Sequence, residues 1–137
     1  SHGHVFDFLI QLLKNNNNLK VLGDGYQNKS YLHVLDCIEA IFLSIRKFNK
    51  KVNIINLGTQ ETITVRKSIN IIVKKLGLNP KITFKGGRRG WIGDNPLIYL
   101  DTKKIRSIGW RPKFTIKQSV ESTVDYLNKN KWILKKK

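Results

Sequence analysis

Four stretches of this chain repeat apolar residues three and four apart, and short apolar runs of a different period lie between them. No other feature narrows the fold as much, because the helical period buries one stripe of a helix while a short unbroken apolar run suits a strand. The first stretch runs from Val5 to Lys14 with Val5, Phe6, Leu9, Ile10 and Leu13 as its apolar face, and the polar run from Asn15 to Asn18 ends it. Asp36 with Glu39 has the form of a capping box, and the helix it opens carries Cys37, Ile38, Ile41, Ile45 and Phe48 on one face. Thr62 or Thr64 caps a third helix with Val65, Ile69, Ile72, Val73 and Leu76 inward, stopped by Gly77 and Pro80. Asp101 opens a short helix closed by Gly109, and Thr115 with Gln118 forms a second capping box for a last helix that aligns Ile116, Val120, Val124 and Leu127.

The runs between these helices read as strands. "LKVLGDGYQNKSYLHV", residues 19–34, places two strand-like runs around Gly23, Asp24 and Gly25, glycine supplying the positive φ that a tight turn needs. "VNIINLG", residues 52–58, is a continuous apolar run bounded by turn residues, the pattern of a strand buried on both faces of a parallel sheet. "KITF" is a further short strand that leads into "KGGRRGWIGDNP", residues 85–96. Helices alternating with strands predict an α/β fold. A chain of 137 residues suffices for one domain, residues 1–137, with 131–137 as a frayed basic tail.

Composition bounds the partners. Lys and Arg number 26 against nine Asp and Glu, a net charge of +17 that attracts RNA, DNA, an acidic membrane surface or a phosphorylated metabolite. An AT-rich genome would encode the same Lys, Asn and Ile excess with no binding purpose. Cys37 is the only cysteine, so no internal disulfide forms, and its place on a helical pattern predicts a reduced, buried thiol in a reducing cytoplasm. No apolar run approaches the ~20 residues of a membrane span, and there is no signal-peptide pattern. His2, His4 and His33 lack partners at metal-ligand spacing, so no metal site is expected. The chain has no G-x-S-x-G turn, no G-x-x-x-x-G-K-[ST] loop and no G-x-G-x-x-G after a strand, which leaves no catalytic or cofactor-binding residue to name. In "RRGW", Trp91 could stack a base while Arg88 and Arg89 meet phosphates, or Trp91 could pack the loop onto the core with the arginines solvated. Both readings stay open on these residues alone.

Two basic loops about sixty residues apart, "GDGYQNKSYLHVLD" and "GGRRGWIGD", could converge on one diphosphate. With "HGHVFDFLIQLL", "LGDGYQNKSYLHVLDCIEAI", "INLGTQETITV" and "RGWIGDNPLIYLDTKKIRSIGWRP" in this order, nearly the whole chain resembles the C-terminal portion of the extended short-chain dehydrogenase/reductases. The resemblance is to the NAD-dependent nucleotide-sugar epimerases and dehydratases, and most to their UDP-glucose 4-epimerase-like branch. It implies a C-terminal substrate-binding domain of an extended Rossmann-type epimerase, with the N-terminal Rossmann portion absent. It also implies that a nucleotide-sugar, most readily a UDP-sugar, lies between this domain and that upstream Rossmann domain. Lys20, Val21 and Leu22, just before the G-D-G turn, would line the nucleobase. Lys29 stands where the family's Q-x-R arginine meets the diphosphate, with Tyr31 two residues on; Lys keeps the charge and loses the bidentate fork. Arg89 would be the second phosphate clamp, with Arg88 in reserve, and Asp94 would accept hydrogen bonds from ribose hydroxyls or position its loop.

The family's glycine-rich dinucleotide loop and Tyr-x-x-x-Lys pair lie upstream of the matching region, so NAD would be bound there and hydride and proton transfer would occur there. The chain also contains no methionine, and it reads as a fragment that is inactive alone. Helix faces that would meet the upstream domain are expected to leave exposed apolar surface. Relatives commonly form homodimers through helices of that half. Two rival readings remain: a basic nucleic-acid-associated module that has reused the fold, which the scatter of Lys and Arg over every element disfavours, and a non-functional remnant of such an enzyme.

Overall fold

The computed structural model describes residues 5–90, 93–95 and 99–135, so Trp91, His2 and His4 lie outside the described residues. The chain begins with α1, Val5–Lys14, and β1, Asn18–Val21. Next come β2, Asn28–Lys29, α2, Val34–Lys47, β3, Ile63–Thr64, and α3, Val65–Leu76. They are followed by β4, Lys81–Phe84, α4, Lys103–Ser107, α5, Ile116–Lys129, and a short 3-10 helix, Lys131–Lys135.

Strand pairing joins segments far apart in sequence. β1 runs parallel to β4 with Leu19 opposite Ile82 and Val21 opposite Phe84, while β2 pairs antiparallel with β3. The two runs around Gly23 and Gly25 are therefore strands that do not pair with one another. The turn instead hands the chain from one small sheet to the next. On one face of β1, the stripes of α1, α3 and α5 close a core that includes Phe8, Leu12, Leu19, Ile69, Ile72, Ile116 and Val124. A second cluster joins Ala40 of α2 to Ile105 of α4 and to Trp110.

Local chemistry explains most helix ends. Thr64 caps α3 by accepting from Lys67 N, and Gly77 ends it at a φ of 67°, which glycine alone adopts without penalty. Thr115 and Gln118 form a capping box at α5. Asp101 Oδ1 accepts Lys103 N at 2.9 Å where α4 begins.

Several expectations are corrected. On α1 the buried stripe is Val5, Phe8, Leu9 and Leu12, and Leu13 is 46% exposed, because this helix is apolar on both flanks and the core takes the Phe8 side. α2 is capped by His33, whose Nδ1 accepts Leu35 N at 3.2 Å. Asp36 is instead buried inside the first turn and accepts Lys113 N and Phe114 N at 3.0 and 3.2 Å. The expected inward face of α2 looks outward: Ile38, Ile41 and Ile45 are exposed and Cys37 is half-buried, since this chain covers only the Ala40 side. Residues 52–58 form no paired strand among the described residues, and Val52 and Ile54 face solvent, because no neighbouring strand lies beside them. The end of the chain is not frayed through Lys135, since Leu134 enters the main core.

Candidate functional site

The parallel pairing of β1 with β4 brings the loops that leave their C-terminal ends side by side. Lys85 N donates to Val21 O at 3.0 Å, Gly86 N to Gly23 O at 3.1 Å, and Asp24 N to Gly87 O at 2.9 Å. Glycine is required where the two loops touch. A Cβ on Gly23 would lie 2.1 Å from Gln27 Nε2 and 3.1 Å from Arg89 O, on a backbone whose φ is 77°. Arg66 braces the turn from α3: its Nε donates to Asp24 O at 2.9 Å, and its guanidinium lies 4.6 Å from the Tyr26 ring centroid and 3.8 Å from that of Phe84.

An ion pair latches the two loops further out. Lys29 Nζ binds Asp94 Oδ1 and donates to Asn95 O at 3.0 Å, and Asp94 Oδ2 accepts Gly90 N at 2.9 Å. The Lys29 and Asp94 side chains are 13% and 8% exposed, so this pair is sheltered from solvent and more than a surface contact. Beside it opens a cavity of about 350 Å³ lined by Lys29, Tyr31, Gly58, Thr59, Asp94 and Leu100. Residues 30–32 form the wall it shares with a larger cleft of about 830 Å³ toward Phe6, His33 and Tyr126.

The expected site residues fall into distinct settings. Lys29, Tyr31 and Asp94 meet around the smaller cavity. Arg89 is exposed on the 85–90 loop, next to the exposed Arg88. Lys20 is exposed on β1 with its backbone held by Gln11, through Lys20 N to Gln11 Oε1 at 3.0 Å and Gln11 Nε2 to Lys20 O at 3.1 Å. Val21 is 1% exposed, so its side chain belongs to the core and only its backbone can face a ligand. Leu22 is half-buried where β1 meets the glycine turn.

The Tyr31 hydroxyl is turned into the protein, next to Ser68 Oγ, and neither group has a hydrogen-bond partner of good geometry. Burial raises the Tyr31 pKa above 10.0, the proximity of Ser68 lowers it in part, and the Asp94 carboxylate adds to the rise. Tyr31 is therefore a neutral phenol at physiological pH. Sequence reasoning missed Gln27 as a site residue: it is buried between the loops, donates to Leu22 O at 3.4 Å, and leaves Oε1 without a partner. Its place in the G-D-G-x-Q spacing was the available signal. Nothing in the sequence marked Arg66.

A family model described as GDP-mannose 4,6 dehydratase matches residues 2–123. The chain belongs to this family of nucleotide-sugar epimerases and dehydratases. Among similar proteins, one of Methanocaldococcus jannaschii described as a "Putative UDP-glucose 4-epimerase" is 29% identical over 93% of this chain and 40% of its own length. Human dTDP-D-glucose 4,6-dehydratase is 27% identical over 92% of the chain and 37% of its own. The crystal structure of a UDP-galactose 4-epimerase superposes with a TM-score of 0.78 at 30% identity, covering 96% of this chain and 41% of that one. The UDP-glucose 4-epimerase of Thermotoga maritima, solved with UDP-glucose, shares the fold with a TM-score of 0.76 at 23% identity, over 93% of this chain and 40% of that one.

This member of the epimerase and dehydratase family thus spans about 40% of the length of the relatives it matches. Structural neighbours were solved with NAD, and the described Gly23–Gly25 turn differs from the glycine turn that receives a dinucleotide. In a dinucleotide fold the glycine turn after a strand opens directly onto a helix N-terminus, which receives the pyrophosphate. Here the Gly23–Gly25 turn leads into β2, and α2 does not begin until Val34. No NAD-dependent step is assigned to these residues. Among the described residues no helix is long and apolar enough to cross a membrane.

Proposed function

We propose that this chain is the substrate-binding part of an NAD-dependent nucleotide-sugar epimerase of the UDP-glucose 4-epimerase-like kind, and that it clamps the nucleoside diphosphate. In this reading the ligand lies along the seam of the two glycine loops. The β1 end, Lys20, Val21 and Leu22, faces the nucleobase through backbone atoms and the two outer side chains. Arg89 and Lys29 carry the positive charge that meets the diphosphate, and the Tyr31 ring walls the cavity between them. Asp94 positions the 90–95 loop by holding Gly90 N and Lys29, and its carboxylate stands within reach of ribose hydroxyls. Lys29 Nζ has three N–H groups, of which Asp94 and Asn95 take two, leaving the third for a phosphate oxygen.

The observation that carries the reading is the convergence of residues 23–29 with residues 85–90 and 93–95, latched by Lys29 and Asp94. A firm grip on the diphosphate suits an enzyme that must let an oxidised sugar turn over and offer its other face to a reduced cofactor. Relatives support the ligand class, since one neighbour was solved with UDP-glucose and another with UDP-glucuronic acid and NAD. The chemistry, and NAD, belong in this proposal to the longer polypeptide that such relatives possess.

Calorimetry with UDP and UDP-glucose tests it. Binding is expected to weaken about tenfold or more in Arg89→Ala, the loss of one charged hydrogen-bonding contact. No heat from the chain, either alone or joined to a family Rossmann portion, would overturn the reading.

A further inference from the structure

At the end of β1 away from the glycine seam, the C-terminal ends of α1, α3 and α5 frame a cleft of about 670 Å³. Leu9 and Leu12 of α1 and Leu134 of the 3-10 helix line it while being 2%, 3% and 7% exposed, so they belong to the core as well. Leu13, Leu76 and Leu78 complete an apolar lining made of leucine alone. The volume falls within the range of about 300–1,000 Å³ over which proteins hold small molecules.

The polar part of the lining has one sign. Lys14 and Lys131 border the cleft together with Asn15, Asn16 and Asn128, and among the described residues no acidic or aromatic side chain does. Neither lysine forms an ion pair with another described residue, and both are exposed. The cleft is also separate from the diphosphate seam. The four residues of β1 stand between them, a span of about 13 Å at the usual rise of a strand.

We infer that this cleft is a second binding site, for a single-chain amphiphile with an anionic head, of the fatty carboxylate class. The alkyl chain enters among the six leucines, and the head meets Lys14 and Lys131. Three observations select this occupant. Leucine walls without an aromatic ring suit a flexible alkyl chain, whereas a planar base binds by stacking on aromatic side chains. Two lysines with no acid beside them attract an anion and repel a cation, and the net charge of +17 acts in the same sense. A second copy of this chain would bring the same charge against the same lysines, and a lining drawn mostly from helices offers no strand edge to an extended peptide.

The inference is independent of the diphosphate clamp. It is tested by titrating the chain, with no nucleotide present, with hexanoate, octanoate and decanoate below their micelle concentrations while leucine methyl groups are followed by NMR. One set of saturable shifts is expected at Leu9, Leu12, Leu78 and Leu134, with affinity rising about two- to fourfold per added methylene. Decyltrimethylammonium is expected to bind at least about fivefold more weakly than decanoate, and Lys14→Glu with Lys131→Glu to abolish that preference. Both substitutions change exposed residues only, so the double variant should keep the circular dichroism of the parent. Leu13→Trp, at a position 46% exposed, narrows the cleft and should weaken decanoate at least about fivefold. Shifts scattered over the surface, affinity that ignores chain length, equal binding of the cation, or displacement of decanoate by UDP would each overturn it. A failure of UDP to bind the seam would leave the carboxylate titration unchanged.

Discussion

A methyl group on Gly25 would land 2.5 Å from Phe84 Cε1 and 2.7 Å from Arg66 Cγ, on a backbone whose φ is 81°. Gly86 has nearly the same φ of 80° but open space where a Cβ would be. Both alanine substitutions incur the left-handed penalty of about 1–2 kcal/mol, and only Gly25→Ala adds an overlap cost of about 1–3 kcal/mol. Urea unfolding should therefore separate the two variants by at least about 1 kcal/mol; equal losses would show that the Arg66 and Phe84 side chains move aside freely. Tyr31 offers a second test at this scale. Its folded pKa is raised above the unfolded 10.0, so the folded state holds its proton more tightly and stability falls as pH climbs past 10 toward the folded value. Tyr31→Phe removes that dependence, and because it deletes a buried hydroxyl without a partner it should be neutral or slightly stabilising at pH 7. Thermal melts between pH 8 and 11 compare the two proteins. The sequence marked Lys29 and Asp94 as charged site residues, but it could not show that they bind each other, since they are 65 residues apart and meet only through the pairing of distant strands.

Among the elements, those whose ends are capped by their own neighbours were legible in advance. Thr64, Gly77 and the Thr115–Gln118 box act through hydrogen bonds within four residues, so spacing alone identifies them. Thr115→Ala should cost about 1 kcal/mol, read from thermal or urea unfolding. α2 was legible as a helix but not in its cap or its orientation. Asp36 is drawn out of the capping role by the backbone N–H groups of Lys113 and Phe114, and the Trp110 indole donates to the Asp36 carbonyl at 3.1 Å. Asp36→Ala should therefore cost about 2–4 kcal/mol, well beyond a cap's worth, because it removes a buried carboxylate that holds two part-buried backbone donors. A loss near 1 kcal/mol in urea unfolding would restore the simple cap reading. Residues 52–58 had the composition of a buried strand, but a strand needs a neighbour, and none of the described residues supplies its backbone partners.

For the whole molecule, the charge of +17 draws polyanions of any kind, and its meaning depends on the number of phosphates gripped at once. A nucleic acid held by several contacts loses about 10³-fold or more in affinity between 50 and 200 mM salt. UDP, held in the proposed clamp by Arg89 and Lys29, should lose less than about tenfold over that range, because two phosphate contacts carry far less salt dependence than the several of a nucleic acid. Titrations of UDP and of a short single-stranded RNA at both salt concentrations decide between them. The sequence by itself determined the α/β alternation, the buried stripes of α3 and α5, most stops, and the motif order that identifies the family, since each depends on spacing along the chain. Only the tertiary structure decided which flank of α1 is buried, that Lys29 is tied to Asp94, and that one side of α2 and the 52–58 segment are left uncovered. Those outcomes depend on which surfaces meet in space, and amphipathic spacing offers a face for burial without specifying what will cover it.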